Sequence, residues 1–213
     1  LFNLKSIFNK DLDEEEIKLD IRNPNGQTIV EKTLKIKKLQ KERICISDFL
    51  VNFPDYKYGT FSIYHENVDL LDKFKSFVSE RGYTLYKYND INVYSYVHGN
   101  LDAISYNNGK KELLGEQLFF NKYFNIQYKF ENIYNYDLSF VNPTKKNLIL
   151  NIYLIDNKNK MKSIKLDIHP AGSKIVKMKK NENIERIKIK SKYLMSRPLI
   201  FEFDENFLNA FHS

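Results

Sequence analysis

Apolar and polar residues alternate with period two along most of the chain, the pattern of strands with one buried and one open face. Ile17, Leu19 and Ile21 run into Asn23-Pro24-Asn25-Gly26, and Thr28, Val30, Leu34 and Ile36 follow. An Asn-Gly pair between two alternating runs predicts a hairpin, because both residues tolerate positive φ. Ile44 with Ile46, then Phe61 with Ile63 after Gly59, bring the opening third to four short strands.

The last third repeats the theme. Leu148 to Ile155 is strongly apolar and stops at Asp156-Asn157-Lys158-Asn159. Ile164, Leu166 and Ile168 then alternate up to the turn His169-Pro170-Ala171-Gly172, and Ile175 to Met178, Ile187 to Ile189 and Leu199 to Phe203 complete the set. Phe207, Leu208, Phe211 and His212 fit a terminal helical turn. The matching order of runs suggests a diverged duplication, with halves 13–66 and 147–204 flanking an insert 67–146.

That insert holds the one helical pattern. Leu70, Leu71, Phe74, Phe77 and Val78 fall at helical spacing within Val68 to Glu80, Asp69 can cap the start and Gly82 can stop it. Tyr83 to Tyr88 and Val93 to Val97 predict a hairpin around Asn89-Asp90, and Leu101 to Tyr106 a further strand. Lys110 to Tyr123 reads as a helical turn ending in a loop, while Ile126 to Phe130 and Tyr136 to Val141 alternate again. No Pro-, Gly- or Ser-rich linker separates these parts. The expected fold is all-β over residues 1–213, a mainly antiparallel sandwich or jelly-roll-like domain with one or two short helices.

Composition narrows the class. With 42% hydrophobic and 15% aromatic residues, the 213-residue chain can bury a core and does not match a disordered one. Cys45, the single cysteine, excludes an internal disulfide; between Ile44 and Ile46 it reads as a small buried hydrophobe. No apolar run reaches the roughly 18 to 20 residues of a spanning helix. The start, Leu1 to Leu12, lacks the apolar core and cleavage site of a secretory signal, and its leucine suggests a trimmed beginning; a cytoplasmic, reducing setting is expected.

The net charge of +7 comes from 34 basic against 27 acidic residues, but only Arg22, Arg43, Arg81, Arg186 and Arg197 are arginines. Lysine is a hydrated point charge and lacks the planar fork that reads bases, so a solvated surface is expected and nucleic acid is disfavoured. A lysine-rich surface binding a polyanion remains an alternative.

Candidate chemistry concentrates between Arg81 and Asp102. The turn His98-Gly99-Asn100 would bring His98 near Asp102, a pairing that orients an imidazole for acid/base work; the same residues are also ordinary turn formers. Tyr86, Tyr88, Tyr94 and Tyr96 are expected on one face of the hairpin, which either closes a core, the commoner use of such a face, or offers rings for a sugar or a protein partner. The favoured function is a non-catalytic recognition or accessory module binding a glycan or a protein through Arg81, Tyr83, Tyr86, Tyr94, Tyr96 and Asn100. The enzyme alternative uses His98 as acid/base, Asp102 as its orienter, and Arg81 with Tyr83 to stabilise negative charge. His65, His98, His169 and His212 show no metal-ligand spacing, and there is no Gly-X-Ser-X-Gly elbow or Gly-rich phosphate loop. No metal or cofactor is therefore expected. Arg197 is expected to pair with Glu202 or Asp204.

Overall fold

A computed structural model describes residues 14–37, 42–65, 83–87, 93–98, 104–107, 110–193 and 196–213. The Asn-Gly signal forms its hairpin: β1 (Glu14–Arg22) pairs antiparallel with β2 (Thr28–Lys37), and β3 (Thr60–His65) pairs with the other side of β1. Register sets Ile21 opposite Val30 and Phe61, and Leu19 opposite Ile63, so the apolar residues share one face. Ile44, Ile46, Phe49, Leu50 and Tyr56 pack against that face from the segment between β2 and β3.

That covering segment departs from expectation. Ile46–Phe49 is a 3-10 turn, and Cys45 is exposed, with Sγ 3.1 Å from the Ser47 hydroxyl oxygen. The backbone at Cys45 is extended, so Ile44 and Ile46 both turn toward the sheet and the residue between them turns away. Alternation persists here without strand pairing. The same happens at Ile126 to Phe130, expected as a strand: Ile126 and Phe130 are buried and Tyr128 packs beside them, yet the segment lies outside the sheets.

Two hairpins follow β3. The first is β4 (Tyr83–Lys87) with β5 (Tyr94–His98), and the second is β6 (Ile104–Asn107) with β7 (Lys110–Leu113). A strand thus stands where a helical turn was expected after Lys110. The helix expected over Val68 to Glu80 and the turn at Asn89-Asp90 lie outside the described residues.

The remaining strands form a sandwich. They are β8 (Lys122–Asn125), β9 (Asn135–Val141), β10 (Leu148–Asp156), β11 (Met161–Ile168), β12 (Ser173–Met178), β13 (Ile184–Ser191), β14 (Leu199–Phe203) and β15 (Leu208–His212). Sheet I has the order β11-β10-β13-β8 and sheet II the order β12-β9-β14-β15. The chain crosses between sheets at most connections, as in a jelly roll. The fold is all-β and sandwich-like. Leu148, Leu150, Ile152 and Leu154 from sheet I meet Leu138, Phe140 and Ile200 from sheet II, all buried. Truncating one of them, as in Ile152→Ala, costs about 2 to 5 kcal/mol.

The expected terminal helical turn is strand β15. Its Leu208 and Ala210 are buried on one side while Phe211, on the other, packs against the sandwich core. Within the two segments compared in the sequence, the first strand lies between its hairpin partner and a later strand, as β2-β1-β3 and β11-β10-β13. The Thr60 hydroxyl, at the start of β3, donates to the Ala171 carbonyl in the turn after β11 at 2.9 Å. No helix among the described residues is long and apolar enough to cross a membrane.

Candidate functional site

The β4–β5 hairpin pairs Tyr83 with His98, Leu85 with Tyr96 and Lys87 with Tyr94. Directly opposed residues project to the same side, so these six share the outer face. On it Tyr83 is 73% exposed, Tyr96 68%, Leu85 50% and Tyr94 47%. The Tyr83 and Tyr96 rings meet edge to face, 6.4 Å between centroids at 75°.

Tyr86 corrects the expectation of a shared tyrosine face. It pairs with Ser95, and its ring packs edge to face on Phe201 of β14, 4.9 Å between centroids. Paired positions sum to an odd number here, so an even-numbered residue on β4 faces with odd-numbered residues on β5, and Tyr86 points away from Tyr94 and Tyr96. Burial pushes its phenol above the ordinary tyrosine value. Val97 is buried on the same inner side, and the Ser95 hydroxyl accepts the Ala210 N–H at 2.8 Å. That bond ties the hairpin to the open edge of β15.

His98 ends β5 with its side chain exposed. His212 Nε2–H donates to the His98 carbonyl at 2.9 Å, and the two rings lie 5.1 Å apart. Asp102, Arg81, Asn100 and Tyr88 lie outside the described residues. Tyr83, Tyr94, Tyr96 and His98 are therefore the expected site residues that the structure brings together, joined by Leu85 and Lys87, which sequence reasoning missed. The signal for Leu85 was its alternation with Tyr83, legible once the register is known.

Two buried polar clusters also escaped the sequence reading. Asp20 on β1 is fully buried and bonded to the Arg22 guanidinium, and Lys111 of β7 reaches Asp20 and Glu31, 2.9 Å to each. Burial opposes the charged form of Lys111, but hydrogen bonds to Glu31, Asp20 and Tyr64 outweigh it and push the ammonium pKa up. The Lys111 hydrogen bond holds the Glu31 carboxyl below its ordinary value. In the sandwich, buried Glu202 accepts from Tyr128 at 2.9 Å, Tyr136 at 2.8 Å and the Asn209 amide at 3.3 Å. Glu202 is thus committed to phenols, and among the described residues Arg197 forms the expected ion pair with neither Glu202 nor Asp204. Burial and the carboxylate raise both phenols above the ordinary value.

A shallow depression of about 310 Å³ is lined by Leu154, Asp156, Lys160, Met161, Lys162 and Glu182, and another, of about 10 Å³, lies beside Tyr136. Neither adjoins the hairpin. Among the described residues no three His, Cys, Asp or Glu side chains cluster to hold a metal ion. No protein-family model, curated protein or solved structure matches the chain.

Proposed function

We propose that the chain is a non-catalytic recognition module that docks a protein surface on the outer face of the β4–β5 hairpin. The observation carrying this reading is the Tyr83–Tyr96 edge-to-face pair, 73% and 68% exposed, on a hairpin whose other side is anchored to the sandwich. Tyrosine offers large contact area with few rotors and a polar tip, which is why it recurs at the centres of interfaces. Leu85, directly opposite Tyr96, suits an apolar protein patch better than a sugar face. His98 and Lys87 rim the patch with polar groups, the usual arrangement around an apolar contact. The exposed Cys45 thiol suits a reducing, cytoplasmic setting. We read 13–66 and 147–204 as diverged copies of one β-meander serving as the scaffold.

The test compares the wild-type chain with Tyr83→Ala/Tyr96→Ala and Tyr83→Phe/Tyr96→Phe variants in quantitative affinity capture and on a glycan array. A protein bound by the wild type and the Phe variant but lost with Ala supports the reading. A glycan with that profile moves the ligand to sugars, and the absence of any ligand that tells Ala from wild type refutes the site.

A further inference from the structure

The outward face of sheet I carries a second, different surface. Register lines up Tyr123, Lys190, Asn151 and Lys165 in one row across the four strands, and Asn125, Lys188, Tyr153 and Ser163 in the next. Arg186 lies opposite Ile155 one step further along β13. The buried partners Ile187, Ile189, Leu150 and Ile152 occupy the alternate positions, so these rows face away from the core. Lys165, Arg186, Lys188 and Lys190 make no ion pair among the described residues, and Asp167 is the one carboxylate within the paired rows of this face. The Lys188 and Lys190 ammonium groups lie 4.4 and 5.5 Å from the Tyr123 ring centre. Just before β8, Phe119 and Phe120 are 93% and 78% exposed, and the Leu118 N–H holds this loop to the Lys192 carbonyl at 2.7 Å, at the end of β13.

We infer that this face binds single-stranded nucleic acid, without base specificity. Charge complementarity is the first reason: four cations against Asp167 and, in the bulge beside Arg186, Glu185 leave a net positive face that attracts a polyanion. Spacing is the second, since Arg186, Lys188 and Lys190 alternate along one strand and so repeat about every 6.6 Å, comparable to phosphates along an extended strand. The third is composition. A ring and an amide stand beside the cations in each row, giving bases a stacking surface and hydrogen-bond partners. A sulfated glycan would use the charges and leave Tyr153 idle. The scarcity of arginine, which argues against reading base edges, fits phosphate contact and stacking.

The test is fluorescence anisotropy with a short labelled oligothymidylate, titrated from low to moderate salt. Four phosphate contacts give a log–log salt slope of about −3, and Lys165→Gln/Lys188→Gln/Lys190→Gln reduces it to about −1. Tyr153→Ala weakens binding by about fivefold or more, while Tyr153→Phe, which keeps the ring, binds as wild type. Tyr83→Ala/Tyr96→Ala leaves oligonucleotide binding unchanged, which separates this surface from the hairpin. No binding at low salt, an unchanged slope in the triple variant, or loss in the hairpin variant overturns the inference. So does heparin or anionic-vesicle binding of equal strength with no effect of Tyr153→Ala, because charge alone would then explain it.

Discussion

The backbone N–H of Ser173 donates to the carbonyl of Pro24 at 2.9 Å, joining the turn after β1 to the turn after β11. The contact is backbone to backbone, and glycine permits it on both sides. A side-chain carbon on Gly26, which has φ +82°, would lie 2.0 Å from the Pro170 carbonyl oxygen, and one on Gly172 would lie 2.6 Å from that of Pro24.

Gly26→Ala should therefore be costly twice over, through positive φ and through collision with a backbone that cannot rotate aside. The expected loss is about 2 kcal/mol, or a fall in Tm of about 5 °C in a chain of this size. Thermal denaturation followed by circular dichroism measures it. An unchanged Tm would mean that the two turns do not meet.

Much of this fold was legible because the alternation is strict. Ile17, Leu19 and Ile21 are each fully buried, as period two requires, and the Asn-Gly turn lies where its φ preference places it. Alternation reports which way side chains point, however, and is silent about hydrogen-bonded neighbours. For that reason Ile44 to Ile46 and Ile126 to Phe130 were read as strands. The face assignment of Tyr86 failed for a related reason: one sequence gives the parity within each strand but not the register between them. The buried bonds of Asp20 and Glu202 were not legible, since Lys111 lies 91 residues from Asp20 and Tyr136 lies 66 from Glu202.

The two hairpin faces predict opposite mutational behaviour. Tyr86→Ala removes a ring packed on Phe201 and should cost about 3 kcal/mol. Tyr83→Ala removes an exposed ring and should stay within about 0.5 kcal/mol. Urea denaturation of the two variants decides it, and equal losses would contradict the anchored-hairpin geometry.

Lys111 clasps the β6–β7 hairpin to the first sheet, so Lys111→Met should lower stability by about 1 to 3 kcal/mol, the cost of leaving Asp20 with one cation fewer. Linkage has a definite sign. The Lys111 ammonium is raised, so its contribution is complete below the ordinary lysine value of about 10.4 and is lost as pH climbs through the folded value. Glu31 is lowered, so its share is complete above the ordinary value of about 4.3 and disappears as pH falls through the folded one. Stability measured from pH 3 to 11 should begin to lose this contribution at both ends in the wild type and at neither end in Lys111→Met.

Tyr128 and Tyr136 should ionise late in an ultraviolet titration, because burial and then the Glu202 carboxylate to which each donates raise both phenols. Raised phenols stabilise the fold fully below about pH 10, and that stability fades as alkali ionises the unfolded chain first. Glu202→Gln removes the charge and should bring two late-titrating phenols back toward the ordinary value. Identical titration curves for the two proteins would rule out this assignment.

Hydroxyl-radical footprinting of the free protein, with modification read tyrosine by tyrosine, tests the central claim that β4 and β5 hold one aromatic face open and bury the other. The account predicts rapid labelling of Tyr83 and Tyr96, intermediate labelling of Tyr94, and slower labelling than any of these at half-buried Tyr86, whose ring packs on Phe201. Protection of Tyr83 and Tyr96 to the level of Tyr86 would contradict it, and the recognition surface would have to be sought elsewhere.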